Sequence, residues 1–193
     1  MPNLYIISGC NGAGKTTACN IILPEFLNCM EFVNADNIAR GLSPFNPESV
    51  AFESGRIMLK RIRELITAQV DFAFETTLSS RSYVALVKQA QLRGYRVSLL
   101  FFWLSSPKLT VERVNKRVSV GGHYIPADVI ERRYYRGIYN LCNLYMVLCD
   151  EWTIVNNTDL EPEVIAKFDG FGKTIFNSEL WDTIIKQQNH EST

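Results

Sequence analysis

The chain has no excess of charge of either sign: its 193 residues include 20 Lys and Arg and 20 Asp and Glu, which gives a net charge of zero. Proteins that bind along a nucleic acid usually carry a basic excess, because each phosphate they neutralise adds to their affinity. We therefore expect no nucleic-acid partner. A neutral total still leaves room for a local cluster of cations, and the second half of the sequence contains one.

The sequence also lacks a long apolar run and a pattern of paired cysteines. The longest apolar run, from Val97 to Leu104, is far shorter than the roughly 20 residues of a membrane-spanning helix. The five cysteines form no CxxC pair, and their spacing fits neither a disulfide framework nor a zinc site. We expect free thiols in a cytoplasmic protein that does not bind membranes. Because a strand is predicted within the first residues, we also expect no targeting segment.

A glycine-rich loop follows the first predicted strand, which covers Leu4 to Ile7. Residues 9–16 read GCNGAGKT and match G-x-x-x-x-G-K-[ST] at every fixed position. Such glycines turn successive N–H groups toward a phosphate, while the lysine reaches the β- and γ-phosphates and the threonine hydroxyl suits Mg²⁺. A helix predicted from Thr17 to Leu23 adds its positive end. The loop predicts a site for ATP and Mg²⁺ formed by Gly9, Asn11, Gly12, Ala13, Gly14, Lys15, Thr16 and Thr17.

Strands and helices alternate along the rest of the chain. Four further strands are predicted at 31–34, 71–75, 96–104 and 152–156, and helices at 47–69, 81–92, 107–118, 126–149 and 179–188. This alternation predicts an α/β fold in which helices cover both faces of a five-stranded parallel sheet. We expect a single domain over residues 1–193, with a lid at about 105–137 and a C-terminal hairpin and helix at about 158–190.

Carboxylates follow the second and third predicted strands, at the sheet edge where parallel sheets bind ligands. Asp36 is placed to accept a proton from an attacking hydroxyl or to hold a water on Mg²⁺; the alternative is a helix N-cap. Glu75 ends a nearly apolar strand, where burying a carboxylate is costly unless it is used or paired. It is expected to bind substrate or a water on Mg²⁺, and a structural pairing with a buried arginine is the alternative. No acidic residue follows the fourth strand, so Asp36 or Glu75 would have to serve the metal.

The cations cluster between residues 113 and 136, at Arg113, Lys116, Arg117, Arg132, Arg133 and Arg136. Arg113 and Arg117 share a helix face, and the glycine pair Gly121–Gly122 follows as a hinge. Guanidinium groups neutralise a transferring phosphoryl group, so we expect an arginine-rich lid, with a solvated helix face as the alternative. For His123 a phosphate contact and an ordinary loop role both remain open. For Asn156, Asn157 and Thr158, which follow the fifth predicted strand, the alternatives are a contact with the adenine ring, for which Asn156 is the expected residue, and a turn.

Four segments together resemble the zeta-toxin family of P-loop kinases. They are GCNGAGKT, VNADNIARGLSP, FAFETTLSSR and ERVNKRVSVGGHYIPADVIERRY, and the resemblance covers residues 3–157. It implies that the protein transfers the γ-phosphoryl group of ATP to a hydroxyl of a small acceptor. In the best-known members the acceptor is UDP-N-acetylglucosamine. The resemblance also adds an antitoxin as a candidate protein partner.

Position by position, the resemblance implies roles for individual residues. Lys15 and Thr16 hold the phosphates and Mg²⁺, and Asp36 activates the acceptor hydroxyl. Arg113 or Arg117 is the first γ-phosphate arginine. His123 stands where the larger toxins have a second one, so either Arg132 or Arg133 replaces it or the site is weaker. The expected catalytic residues are Asp36, Lys15, Arg113 and Arg117, and the expected substrate-binding residues are Asp36, Glu75, Thr77, Arg56, His123 and Arg133.

Two other functions remain open from the sequence. One is a nucleotide-dependent switch that hydrolyses ATP slowly, binds a protein partner and needs no acceptor. The other is a kinase that acts on RNA ends, which the neutral charge and the small lid disfavour. Release of ADP that depends on an acceptor distinguishes the small-molecule kinase from the switch.

Overall fold

The computed structural model describes residues 1–119, 121–122 and 124–189. Within them, seven strands form one sheet in the order β2-β3-β1-β4-β5-β6-β7. The strands are β1 (Asn3–Gly9), β2 (Glu31–Val33), β3 (Phe72–Thr76), β4 (Arg96–Trp103), β5 (Glu151–Asn156), β6 (Glu163–Phe168) and β7 (Lys173–Ile175).

Eight α-helices occur in the same described residues. They are α1 (Lys15–Ile21), α2 (Ala35–Leu42), α3 (Ala51–Ala68), α4 (Tyr83–Leu92), α5 (Pro107–Val118), α6 (Ala127–Asn140), α7 (Met146–Leu148) and α8 (Ser178–Gln187). A 3₁₀ turn at Pro47–Val50 precedes α3. Two π-helical segments extend α1 and α6, at Ile22–Phe26 and Leu141–Tyr145. The helix predicted at 126–149 is therefore present over residues 127–148, with a π-helical segment between α6 and α7.

The parallel part of the sheet places β1 at its centre. β1 pairs in parallel with β3 on one side and with β4 on the other. The chain leaves β1 for the outer strand β2 and later crosses to β4, so the strand order reverses at β1. A reversal of this kind leaves a crevice beyond the carboxyl ends of the strands, where ligands bind in sheets of this class. The glycine loop follows β1 at this point, and the predicted α/β class is confirmed.

The five predicted strands are present and pair in parallel, but the prediction that they make up the whole sheet was wrong. β6 pairs antiparallel with β5, and β7 pairs antiparallel with β6, so the sheet is mixed and has seven strands among the described residues. The physical reason is aromatic packing at the edge: the ring of Trp152 in β5 stacks on Phe168 of β6 and on Trp181 of α8. The sequence predicts a hairpin, but it does not say which sheet edge the hairpin covers.

A small apolar cluster joins α5 to α6 apart from the main core. Its buried members are Val114, Ile125 and Ile130. Further along α6, Tyr134 belongs to the main core and its hydroxyl donates to the carbonyl oxygen of Leu104 at 2.7 Å. The region predicted as a lid is therefore tied to the sheet through the second half of α6.

The five cysteines are unpaired, which confirms the expectation of free thiols. Within the described part of the chain, no helix is both long enough and apolar enough to cross a bilayer.

Candidate functional site

The phosphate loop connects β1 to α1 and is held by the segment that follows β5. Gly14 has a φ of 80°, a conformation that side chains other than glycine rarely adopt. A Cβ atom on it would lie 2.7 Å from Nδ2 of Asn157, and that amide nitrogen donates to the carbonyl oxygen of Ala13 at 2.8 Å. The glycine therefore allows Asn157 to reach the loop and fix its backbone.

Glu75 connects the phosphate loop to the neighbouring strand. Its Oε2 accepts hydrogen bonds from Oγ1 of Thr16 at 2.8 Å and from Nδ2 of Asn34 at 2.7 Å. Nζ of Lys15 lies 3.6 Å from Oε1 and donates to the carbonyl oxygen of Cys10 at 2.9 Å. The carboxylate is 11% exposed, and these partners offset the cost of its burial. Lys15, rather than an arginine, is the cation that pairs with Glu75.

Asp36 lies in the first turn of α2, which begins directly after β2. Asn34 is the N-cap of this helix, because its Oδ1 accepts from the backbone N–H groups of Asp36 and Asn37 at 2.7 and 3.1 Å. The alternative in which Asp36 caps the helix was therefore wrong. The side chain of Asp36 is exposed and lines the same cavity as the phosphate loop.

The candidate arginines come from α5 and α6. Nη1 and Nη2 of Arg113 donate to the carbonyl oxygens of Asn157 and Thr158 at 2.9 and 2.6 Å. Arg117 lies one helical turn further along α5, and Arg133 projects from α6; both line the cavity. Arg113 thus binds the segment that holds the phosphate loop, while Arg117 and Arg133 border the cavity beside it.

These elements surround a cavity of about 610 Å³ at the carboxyl ends of the parallel strands. It brings together most of the predicted residues: Asn11, Gly12, Gly14, Lys15, Thr16, Thr17, Asp36, Glu75, Thr77, Arg113, Arg117 and Arg133. Gly9, Ala13, Asn156 and Arg56 do not line it, and His123 lies outside the described residues.

Two residues placed by the sequence occupy other positions in the fold. Arg56 is exposed on α3, away from the cavity lining. Asn156 is 8% exposed, and its Oδ1 accepts from the N–H of Thr158 at 3.1 Å, which is a turn contact. The next residue, Asn157, is the one that reaches the phosphate loop.

Sequence reasoning missed the roles of Asn34 and Asn157. An asparagine directly before a predicted helix is an N-cap signal, so the capping role of Asn34 was visible in principle. The position of Asn157 had no local signal, because its partner Ala13 lies 144 residues earlier in the chain. Arg40, which also lines the cavity, is one turn beyond Asp36 on α2.

The residues around Thr16 fit a magnesium ion. Mg²⁺ prefers hard oxygen ligands, keeps several waters and is usually held by one or two protein groups together with substrate phosphates. The Thr16 hydroxyl and the Glu75 carboxylate lie within hydrogen-bond distance and both face the cavity, which Asp36 also lines. In the described residues no group of three or more His, Cys, Asp and Glu could hold a metal by itself. This arrangement suits an ion bound partly through phosphate oxygens.

Two buried cysteines lie close to the phosphate loop and remain neutral. Burial raises the pKa of Cys10, whose Sγ lies 3.4 Å from Oγ1 of Thr110. Burial also raises the pKa of Cys19 to about 12, and the charge of Glu75 adds to the rise. A thiol with a raised pKa is a poor nucleophile at neutral pH, so the chemistry of the site falls to its carboxylates and cations.

The glycine loop at the switch point of a mostly parallel sheet defines a P-loop protein of the α/β class. The family model described as Zeta toxin matches residues 1–161, and the chain belongs to that family. A curated relative, an uncharacterised protein of Haemophilus influenzae, is 30% identical over 128 residues, which are 65% of this chain and 88% of the relative.

Several solved structures share the fold. A chain of the AvrRxo1-ORF1:AvrRxo1-ORF2 complex, crystallised with sulphate, has a TM-score of 0.81 at 17% identity and is covered over 66% of its length by the whole of this chain. The same complex has been solved with ATP, with a TM-score of 0.80. A chain of PezAT, a chromosomal toxin–antitoxin system of Streptococcus pneumoniae, has a TM-score of 0.70 at 15% identity over all of this chain and 80% of its own. This chain therefore spans slightly less than two thirds of the AvrRxo1 chain that it matches.

Proposed function

We propose that the protein is a phosphotransferase that moves the γ-phosphoryl group of ATP to a hydroxyl group of a small acceptor. One observation carries this proposal: a single cavity is lined by the phosphate loop, by an exposed carboxylate and by arginines of α5 and α6. Phosphoryl transfer needs this combination, because positioning and charge neutralisation supply most of its catalysis. Membership of the Zeta toxin family supports it.

The phosphates of ATP would bind the N–H groups of the loop and the N-terminus of α1. The ammonium group of Lys15 would leave the Cys10 carbonyl for the phosphate oxygens, and Arg117 and Arg133 would neutralise charge on the transferring group. Thr16, with Glu75 directly or through water, would hold Mg²⁺. When bound, the ion supplies further neutralisation of the β- and γ-phosphate charge.

Asp36 is the proposed general base. Its carboxylate accepts the proton of the acceptor hydroxyl while the hydroxyl oxygen bonds to the γ-phosphorus. The bond between the γ-phosphorus and the bridging oxygen breaks, and its electron pair leaves with ADP. Thr77 is proposed to bind the acceptor, because it lines the cavity and its hydroxyl lies 2.9 Å from that of Ser79, which also lines it.

A UDP-N-acetylsugar is the first acceptor to test, because the sequence resembles kinases that use one. An antitoxin is the proposed protein partner, because PezAT is a toxin–antitoxin system and shares the fold. Proteins with this fold also bind very different molecules, so the acceptor has to be established by experiment.

The experiment measures ADP release with a panel of UDP-sugars and resolves the products by mass. Asp36→Asn should lower kcat by about 10²- to 10⁴-fold, because it removes the base, while the Kd for ATP stays close to that of the wild type. Asp182→Asn, at an exposed position of α8, is the matched control and should keep full activity. Equal loss of ATP binding and turnover, or full activity in Asp36→Asn, would contradict the role of Asp36. ADP release that no acceptor stimulates would favour the nucleotide switch.

A further inference from the structure

Asn34 lies between β2 and α2, and both the oxygen and the nitrogen of its side-chain amide make hydrogen bonds. The side chain of Asn34 is 6% exposed. Its oxygen accepts from the N–H groups of Asp36 and Asn37, and its nitrogen donates to Oε2 of Glu75 at 2.7 Å. The same Glu75 oxygen accepts from Thr16. A continuous path of hydrogen bonds therefore runs from the phosphate loop to the backbone of the proposed base.

The three residues that contact Glu75 would respond differently to the binding of ATP and its metal ion. The hydroxyl of Thr16 and the ammonium group of Lys15 are the groups that a metal ion and phosphates engage in a loop of this kind. The amide of Asn34 is instead bound within the protein at both ends, to Glu75 through its nitrogen and to the helix N-terminus through its oxygen. During turnover the hydrogen bond from Asn34 can therefore keep Glu75 in place.

We propose that Asn34 is a positioning residue that keeps Glu75 and Asp36 in a fixed relation while ATP and its metal ion draw Thr16 and Lys15 away from Glu75. This inference rests on the proposed phosphotransferase function. Asn34 lines the cavity, but both ends of its amide are bound within the protein, to the Glu75 carboxylate and to the backbone N–H of Asp36, so its proposed role is to orient these two residues. Groups that orient metal-binding side chains in this way commonly contribute about 10- to 100-fold to activity or metal affinity.

Capping alone does not require an asparagine at position 34. A helix N-cap needs only an acceptor oxygen, which serine and aspartate provide about as well. The donor end of the amide is needed only for Glu75. Asn34→Ser therefore keeps the cap and removes the donor. Asn34→Asp keeps the cap and the shape and sets a second carboxylate against Glu75.

The chain contains a matched control for these substitutions. Asn177 is the N-cap of α8: its oxygen accepts from the N–H of Leu180 at 3.1 Å, and its nitrogen donates to Oε1 of Glu163 at 2.8 Å. Neither Asn177 nor Glu163 lines the cavity. Asn177→Asp therefore makes the same chemical change in the same kind of contact away from the site.

The first measurement is kcat with the acceptor that the wild-type protein uses. Asn34→Asp should lower kcat by about 10- to 100-fold, Asn34→Ser by less, and Asn177→Asp should leave it unchanged. In the Glu75→Gln background, Asn34→Asp should lower kcat little further. The donor then stands at position 75 and the acceptor at position 34, so the hydrogen bond between them is restored. An equal fall in kcat from Asn34→Asp in both backgrounds would overturn the proposal, because the effect of residue 34 would then not depend on residue 75.

A second measurement separates this proposal from the proposed function. Calorimetry with adenylyl imidodiphosphate, a non-hydrolysable ATP analogue, needs no acceptor. Asn34→Asp should raise the Kd of the analogue by about tenfold in the presence of Mg²⁺ and leave it unchanged without the ion, because Glu75 serves the metal side of the site. The same change in both conditions would overturn the positioning role. A wild-type protein that binds the analogue but transfers phosphate to no acceptor would overturn only the proposed function.

Discussion

The two sides of the cavity are built differently. On the nucleotide side, formed by the phosphate loop, α1, α5 and the segment after β5, polar groups are bound to one another: Lys15 to a loop carbonyl, Asn157 to the loop, and Arg113 to the segment after β5. On the acceptor side, formed by α2, the start of α3 and the segment after β3, Asp36 and Arg40 are exposed. Under the proposed function, the internally bonded side would receive a ligand of constant shape, a triphosphate, and the exposed side would receive the acceptor.

Among substitutions on the nucleotide side, the largest expected effect comes from removing the positive charge of Lys15. Lys15→Met keeps most of the side-chain length but loses the ammonium group that would bind phosphate, so we expect kcat to fall by about 10²- to 10³-fold. The measurement is ADP release at saturating ATP. Lys60→Met is the control: Lys60 is 78% exposed and pairs with Glu64 at 3.9 Å, a contact of little energetic weight. If the two variants lost activity equally, Lys15 would have no special role.

The second effect compares the stability changes at two glycines, one where β1 ends and the phosphate loop begins and one inside α3. Gly9 has a φ of 137°, and a Cβ atom on it would lie 2.2 Å from the carbonyl oxygen of Phe102. Gly9→Ala should lower the free energy of unfolding by about 3 kcal/mol or more, because both backbone strain and a steric clash result. Gly55, inside α3, has nothing within 4 Å of its would-be Cβ. Gly55→Ala should raise stability by about 0.5–1 kcal/mol.

Denaturant unfolding of the two glycine variants checks this contrast. A similar change in stability for Gly9→Ala and Gly55→Ala would mean that the turn after β1 adapts more easily than its geometry indicates. The denaturant midpoint should fall for Gly9→Ala and rise for Gly55→Ala if the turn after β1 is as rigid as its geometry indicates.

The third effect separates two arginines that the sequence leaves equivalent. Arg113 donates to two backbone carbonyls of the segment that holds the phosphate loop, whereas Arg117 lines the cavity one turn away. Arg113→Gln should raise the KM for ATP by about tenfold, because it loosens that segment by removing charged hydrogen bonds. Arg117→Gln should lower kcat more than it changes KM. Steady-state kinetics of both variants measures the split, and identical profiles would assign the two arginines the same role.

The same contrast explains what could be predicted from the sequence. The glycine loop, its flanking strand and helix, and the carboxylates after β2 and β3 have local signals, so their places were predictable. The site contacts of Asn157 depend on a residue 144 positions away. The exposed strand β7 carries no buried face to mark its pairing, so the extension of the sheet was missed. Arg56 was expected to bind substrate, but it lies at an exposed position of α3 outside the cavity lining.

The smallest expected effect concerns the thiol of Cys19, which is buried in α1 near Glu75 on the nucleotide side. Its pKa in the folded protein, raised to about 12 by burial and then by the charge of Glu75, exceeds the usual value of about 8.5 in an unfolded chain. Above pH 8.5 the unfolded state releases this proton and the folded state keeps it, so stability falls as pH rises. Between pH 7.5 and 9 this thiol should lower stability by up to about 1 kcal/mol, a limit set by the unfolded pKa because the folded one lies above this range.

Denaturant unfolding under reducing conditions at pH 7.5 and 9 measures the loss for wild type and Cys19→Ala. The variant should lose less stability over this interval, by up to about 1 kcal/mol, since it has no thiol to titrate at that position. Val87→Ala, which also removes a fully buried side chain but no titratable group, controls for the cavity and should keep the wild-type pH dependence. If Cys19→Ala kept it as well, the thiol would titrate alike in both states, and the interior beneath the phosphate loop would be more open to water than the packing of α1 indicates.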